Sequence, residues 1–416
     1  MDNPARPIIL TPMSIKTDIA IVGGGLNGPA LALALAQAGF DVTVIDALPE
    51  PVRKTAAFDG RSYALAHAST RLLDAIGIWE DIADRTQPML EIKVSDGRAG
   101  MGPLSQFYLH FDHAELEEGP MGYMCEDRIL RRAFLDAAEA EPRITLISND
   151  MVVAQSTDTL ARLTLASGVE IEAQLIVGSD GRGSGTAERA GITRTGWGYG
   201  QTALVAAIAH EKPHNGIAHQ FFMPPGPLAI LPLPGNMSSI VWSETDETAA
   251  RFAALNDEDF LHVLRPRFGD FLGDISLAGK RYTYPLSLSI ATSFVAERVA
   301  LVGDAAHGVH PIAGQGLNAG LRDVAALAQV LSDARKRGED IARADVLERY
   351  QRWRRFDVAT LALTTDASNR IFSNDNPLLR LGRDLGMGAI NAVPGLRRRI
   401  MREAAGLTGD LPALMR

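Results

Sequence analysis

The sequence predicts an α/β fold: a Rossmann-like dinucleotide-binding domain, a mixed, largely antiparallel β-sheet domain inserted into it, and helices at the C-terminal end. Three observations predict it. Residues 18–46 read as strand, glycine-rich turn, helix and strand. Residues 298–323 again run an apolar strand into a carboxylate and a bare loop. Between them, residues 190–290 carry short strand-like runs separated by prolines and glycines.

The first segment opens with Asp18-Ile19-Ala20-Ile21-Val22, an apolar run of the kind buried on both faces of a parallel sheet. Gly23-Gly24-Gly25-Leu26-Asn27-Gly28 follows, and Pro29–Ala38 is rich in the strong helix formers Ala and Leu. A second strand, Asp41–Ile45, ends at Asp46, 23 residues after Gly23. In this G-x-G-x-x-G pattern Gly23 permits the tight turn, Gly25 the approach of backbone to a pyrophosphate, and Gly28 close helix–strand packing; Asp46 accepts ribose hydroxyls. The motif alone does not separate FAD from NAD.

In the later segment, Val299–Val302 leads into Gly303-Asp304, and the loop beyond carries Pro311, Gly314, Gln315, Gly316 and Gly320. A helical pattern starts near Leu317-Asn318. Asp304 is placed to accept hydrogen bonds from sugar hydroxyls, and the bare loop lets N–H groups approach a flat polar ring. The helix N-terminus favours negative charge by about 0.3–1 kcal/mol. A third apolar strand, from Leu175, ends at Asp180-Gly181.

Composition excludes several classes. The chain has 416 residues, 46% hydrophobic and 22% charged, as in globular proteins. A net charge of −9 argues against nucleic acid as a partner. Cys125 is the single cysteine and reads as a small packed residue, so no intrachain disulfide or cysteine metal site is available. The nine histidines show no metal-ligand spacing, and no metal is expected. His307 and His310 read as structural hydrogen-bonding groups. The N-terminal MDNPARPIILTPMSIK lacks the pattern of a secretory signal. No apolar run reaches the roughly 18 residues of a membrane span.

Other stretches complete the pattern. Asp59-Gly60-Arg61-Ser62-Tyr63-Ala64-Leu65 precedes a helix at about 67–76, and Gly122–Arg128 leads into a helix through Ala140. In the sheet region, Gln201–Ala209, His219–Phe222, Leu228–Leu233 and Ser238–Trp242 read as strands. Trp197, Tyr199, Phe221, Phe222 and Leu231 are candidate pocket walls. Asp333–Asp357 reads as a solvated helix face. Residues 379–416 carry seven arginines against three acids, with Ile390, Val393, Leu396, Ile400 and Met401 among them. Such a segment fits either a basic amphipathic helix on an anionic membrane or a terminal helix packed on its own domain.

GDAAH followed by HPIAGQGLN resembles the second FAD-binding motif of the flavoprotein aromatic monooxygenases, above all the ubiquinone-biosynthesis hydroxylases. D-x-R-x-x-A-L at Asp59–Leu65, the Asp180-Gly181 turn, Trp197-x-Tyr199-x-Gln201 and Gly226–Leu233 are similar to the same family, over about residues 17–406. The family's D-G-x-x-S-x-x-R run is broken here by Ala187, and its usual amide or arginine near position 127 is Asp127.

The resemblance implies the glutathione-reductase-like, para-hydroxybenzoate-hydroxylase type of fold. It assigns residues 14–76, 108–188 and 286–335 to the FAD domain, 77–107 and 189–285 to the substrate sheet, and 336–416 to C-terminal helices. It implies bound FAD, NAD(P)H as electron donor and O2 as co-substrate, with hydroxylation through a flavin C4a-hydroperoxide. The cofactor contacts would be Gly23, Gly25, Gly28, Asp46, Arg61, Asp127, Asp180, Gly181, Gly303, Asp304, Gly314, Gly316, Leu317 and Asn318. The loop Pro311, Gly314, Gln315 and Gly316 would face the flavin, and Tyr199, Phe221, Leu231 and Pro311 the substrate. That substrate would be a hydrophobic prenylated phenol, met peripherally on the inner face of the cytoplasmic membrane. Other ubiquinone-biosynthesis proteins, or further copies of this chain, would be its partners. Hydroxylation of a soluble aromatic acid and an inactive FAD-binding scaffold remain as alternatives.

Overall fold

A computed structural model describes residues 14–96, 108–309, 314–372, 388 and 390–416. In chain order the elements that build the site are β1 (Ile19–Val22), α1 (Asn27–Gln37), β2 (Val42–Asp46), β3 (Ser62–Ala66), α2 (His67–Ala75), β4 (Glu91–Asp96) and β5 (Tyr108–Asp112). They continue as β6 (Gly122–Glu126), α3 (Asp127–Ala140), β7 (Ile144–Ser148), β8 (Leu175–Gly178), β9 (Arg194–His210), β10 (Ile217–Met223), β11 (Gly226–Leu233) and β12 (Met237–Thr245). The last are β13 (Tyr282–Ala291), β14 (Val299–Leu301), α4 (Gln315–Lys336), α5 (Ala344–Phe372) and α6 (Pro394–Ala404).

One sheet has six strands in the order Val295–Ala296, β14, β8, β1, β2, β7. All its pairs are parallel except the edge pair of Val295–Ala296 with β14. Its central strands are buried at every residue, which is why they read as unbroken apolar runs. Helix α1 covers this sheet and is buried from Gly28 to Ala36, so it is apolar around most of its circumference. Burying each such Leu or Ile contributes about 1.5–3 kcal/mol.

Among the described residues the second sheet has nine strands, with the path His307–Gly308, β13, β9, β12, β11, β10, β4, β5 and with Ile275–Leu277 paired to β9 off that path. Its pairs are antiparallel except β10 with β4. On one face Trp242, Phe221, Met223 and Ile240 pack against Phe260, Leu264 and Phe268 of a two-helix layer at residues 246–268. The other face is left for the site.

The two sheets are stapled where β14 ends. After Asp304 the chain enters the second sheet directly, pairing Ile290 with His307 and Ser289 with Gly308. Arg194, at the start of β9, donates to the Asp304 and Ala305 carbonyl oxygens and to Ser289 Oγ. The turn after β14 is thereby fixed to the nine-stranded sheet.

The expected solvated face at Asp333–Asp357 is corrected. The helix breaks after Lys336 and resumes at Ala344, and Val346, Leu347, Tyr350 and Arg354 are buried. Tyr350 donates to the Leu301 carbonyl oxygen at 2.7 Å. Arg354 reaches inward to Asp323, and it is this buried partner that makes a charged stretch part of the core.

Candidate active site

A cavity of about 690 Å³ lies between the two sheets. One end is lined by Leu26, Asn27, Ser179, Gly181, Arg182, Asp304 and Gly314–Asn318, the loops at the strand ends of the parallel sheet. The other is lined by the nine-stranded sheet and by Ile400, Met401 and Ala404 of α6.

The glycines divide by what surrounds them. Gly23 has φ +111°, and a Cβ there would overlap the Ser179 carbonyl, so the loops after β1 and β8 touch at this point. A Cβ on Gly28 would overlap the Gly23 carbonyl oxygen. Gly25, Gly181 and Gly316 have nothing of the described residues within 4 Å of where a Cβ would be. Those three leave bare backbone facing open space, as a ligand cradle requires. Helices α1 and α4 both begin at the cavity, and neither has an acid in its first turn. Their N-termini favour negative charge there.

The carboxylates behave differently from one another. Asp46 accepts from Gly24 N at 2.6 Å and Leu48 N at 2.7 Å, holding the turn beside β2. Asp180 accepts from Ser184 Oγ, Thr186 N and Thr186 Oγ1, so its oxygens bind its own loop. Asp304 lines the cavity, half exposed, with Arg182 Nε at 3.1 Å.

Arg61 and Asp127 stand behind the cavity wall. Arg61 pairs with Asp59 at 2.7 Å and with Asp127 at 3.3 Å. Asp127 also accepts two bonds from Arg131 and one from Tyr63 Oη at 3.1 Å. The residues that reach the cavity from this stretch are Ser62, Tyr63 and Ala64. Burial, reinforced by Asp127, pushes the Tyr63 hydroxyl above its ordinary range, so it stays a donor at neutral pH. A direct contact of the Asp127 carboxylate with cofactor is therefore corrected, because protein donors already occupy it.

Asn318 lines the cavity, but its amide is fully used. Oδ1 accepts from Ala66 N and Ser69 Oγ, and Nδ2 donates to the Ala64 and Gly314 carbonyls. It locks the start of α4 to β3. Gly303 has φ +61° and abuts Asn27, while its N–H donates to Asp323 at 2.9 Å. Asp323, fully buried, also accepts from His307 Nε2 and from Arg354 Nε, each at 2.6 Å. His307 thus has the structural role expected of it, while His310 and Pro311 lie outside the described residues.

Of the candidate pocket walls, Phe222 and Leu231 line the cavity. Tyr199 packs instead against the cluster of Leu288, Val309 and Ala362, the last on α5. Phe221 points into the helix-covered face with Trp242. Trp197 is 47% exposed and lies outside the lining. Strand alternation explains the Phe221–Phe222 choice, since neighbours face opposite sides and one had to leave the pocket. The sequence reading also missed Asn27, Arg182, Arg194 and Asp323. Asn27 and Arg182 fill variable positions of glycine motifs, and the other two act through partners far along the chain.

The residues present fit FAD. Bare glycine backbone, two helix N-termini and a carboxylate converge. The buried Asn27 Oδ1 and Ser62 Oγ have no hydrogen-bond partner among the described residues, an arrangement that a polar ligand would satisfy.

A family profile described as an FAD binding domain matches residues 16–365. The ubiquinone hydroxylase UbiL of Rhodospirillum rubrum is 45% identical over 403 residues, covering 96% of this chain and 92% of its own. The chain belongs to the ubiquinone-biosynthesis hydroxylases. Further relatives are the 3-demethoxyubiquinol 3-hydroxylase of Escherichia coli, 37% identical over 94% of this chain and 99% of its own, and human COQ6, a mitochondrial ubiquinone biosynthesis monooxygenase. COQ6 is 30% identical over 93% of this chain and 92% of its own. A solved p-nitrophenol 4-monooxygenase, PnpA of Pseudomonas putida, shares the fold with a TM-score of 0.79 at 21% identity, covering 95% of this chain and 99% of its own.

This hydroxylase is an FAD-dependent aromatic monooxygenase. Bound FAD supplies the redox chemistry, with NAD(P)H as electron donor and O2 as co-substrate. The chain's own residues bind and exclude. The starts of α1 and α4 offer N–H groups to negative charge, and Phe111, Phe222 and Met401 present apolar surface at the far end of the cavity, where water is poorly held. Asp304→Ala is expected to give folded protein with little flavin after purification. Absorbance near 450 nm, scaled roughly to protein concentration, checks it, and wild-type flavin content would remove Asp304 from the site.

Proposed function

We propose that this hydroxylase adds a hydroxyl to the aromatic ring of a polyprenylated phenol or quinol precursor of ubiquinone. The observation that carries this reading is the cavity lining. Beyond the cofactor end the walls are Ile92, Val94, Phe111, Ala229, Leu231 and Met401. Arg182 is the one cation among the described lining residues, and Asp304 neutralises it. A soluble aromatic acid would bury its carboxylate without a countercharge, which is strongly unfavourable. A prenyl tail gains about 0.8 kcal/mol for each CH2 it buries.

In this reading residues 14–76, 108–188 and 286–335 hold the cofactor, apart from β5, which joins 77–107 and 189–285 in holding the substrate. Helix α6, within 336–416, has two duties. Its inner side closes the cavity, tied down by Arg397–Glu115 at 2.8 Å and by Arg402–Glu118. Outside, Val393 and Leu396 are exposed beside Arg398 and Arg399. That face suits peripheral contact with an anionic membrane, where the substrate is dissolved. No helix among the described residues is long and apolar enough to cross a membrane.

The test is NAD(P)H oxidation by FAD-loaded protein with a short-chain prenylated phenol in anionic vesicles, product read by mass. Stimulated oxidation, a gain of one oxygen and co-sedimentation of the protein are expected. Stimulation by a soluble aromatic acid instead would overturn the substrate class. Protein left in the supernatant would overturn the membrane contact.

A further inference from the structure

Strand β10 sends alternate side chains to opposite faces of its sheet. Ala218, Gln220 and Phe222 line the main cavity. Ile217, His219 and Phe221 line a smaller one on the other face, where the His219 ring lies 4.5 Å from Phe271. Gln220 therefore stands on the cavity floor, and its lateral neighbours are set by register. It lies opposite Val94 on one side and Ala229 on the other. Beyond these come Leu109 and Val241. The amide is flanked by apolar side chains in both directions and has no hydrogen-bond partner among the described residues.

Asn27, whose Oδ1 is also unpaired among the described residues, stands at the cofactor end, whereas two other amides near the site are satisfied. Asn318 makes four bonds within the protein, and Gln201 donates to the Pro225 carbonyl and accepts from Asn369. An amide left unpaired in an apolar cavity wall costs stability unless a ligand engages it. Binding sites of this kind are mostly apolar, with a few polar groups that fix orientation. Apart from Gln220, the polar residues that the floor strands β10, β11 and β12 bring to the described lining are His219, whose ring packs on Phe271 at the opposite face, and Ser243, on β12.

We propose that Gln220 orients the substrate, its side-chain amide hydrogen-bonding an oxygen substituent of the aromatic ring. This rests on the aromatic-substrate reading above. With the oxygen held at Gln220, the ring lies on Ala229 and Val94, and its apolar tail runs toward Phe111 and Met401. Which ring carbon meets the flavin is then set by the distance from that anchored oxygen.

The test compares binding of a short-chain prenylated phenol with that of the hydroxyl-free prenylbenzene, read as perturbation of the flavin spectrum in the FAD-loaded enzyme. Wild type is expected to prefer the phenol by about tenfold or more. Gln220→Leu, close in volume, is expected to bind both alike while retaining its flavin and melting temperature. Gln220→Asn, which keeps an amide, is expected to recover part of the preference. A Leu variant with the full wild-type preference would overturn the assignment, as would Ser243→Ala abolishing the preference by itself. Wild type that binds neither compound but does bind a soluble aromatic acid would overturn the substrate reading, and this proposal with it.

Discussion

Asp323→Ala is expected to cost about 3–5 kcal/mol of stability, the range for breaking a buried ion pair from one side. The carboxylate sits at 0% exposure and the Arg354 it binds at 2%. Removing it leaves the guanidinium with Asp357 alone, takes the partner from His307, and frees the Gly303 N–H. Flavin content should fall as well, because Gly303 sets the direction of Asp304. Chemical denaturation of the apo-protein measures the first effect, and flavin absorbance the second. Replacing both charges, Asp323→Leu with Arg354→Met, should be milder than the single change, since no charge is then left buried and unpaired. A single variant as stable as wild type would show that this network contributes nothing. The pH dependence follows by sign. Burial raises the Asp323 carboxyl, but His307 and Arg354 outweigh it, and its pKa lies below the ordinary 3.8. The stability it contributes is present above about pH 4 and is lost as acidification passes its folded value.

Gly28→Ala and Gly25→Ala should separate fold from ligand. At position 28 the added methyl meets the Gly23 carbonyl, a backbone atom that cannot step aside. Overpacking of about 1–3 kcal/mol is expected, with a lower melting temperature even without FAD. The glycine turn after β1 shifts with it, so FAD affinity should drop roughly tenfold to a hundredfold. At position 25 the methyl meets no atom of the described residues. There the apo-protein should melt as wild type does, while FAD binding is lost to a comparable degree. Apo-protein melting curves and flavin titrations of the two variants decide it. A Gly25→Ala protein that binds FAD normally would mean that the cofactor does not approach this backbone.

Much of this was legible in the sequence because it is local. The parallel strands announce themselves as unbroken apolar runs, and the turn after β1 follows from glycine spacing. Asp304 is read by the same logic, at the end of a strand, and it lines the cavity. What stayed hidden depends on partners distant along the chain. Asp127 looked available until Arg61, Arg131 and Tyr63 closed around it. Asn318 sits in a loop-to-helix motif, yet Ala64, Ala66 and Ser69 use up its amide. Tyr199 and Phe221 were placed in the pocket on size and apolarity, which do not reveal which face of a sheet a residue takes. The basic C-terminal stretch left two readings open, and α6 accommodates both, with Met401 buried and Leu396 exposed.

Strand order in the parallel sheet also dictates when, during synthesis, the cofactor can first be captured. Strands β1 and β2 and the turn between them leave the ribosome early, but Gly23 rests on Ser179, and the other half of the cradle waits for residues 303–318. Until β14 pairs with β8, the glycine turn after β1 lacks the wall that residues 303–318 supply. Closing such distant pairings is slow, and it leaves apolar strand edges open meanwhile. FAD can stabilise this chain by mass action only after a little more than three-quarters of it has been made. A shortage of flavin would then appear first as poor yield of the protein, before any loss of specific activity.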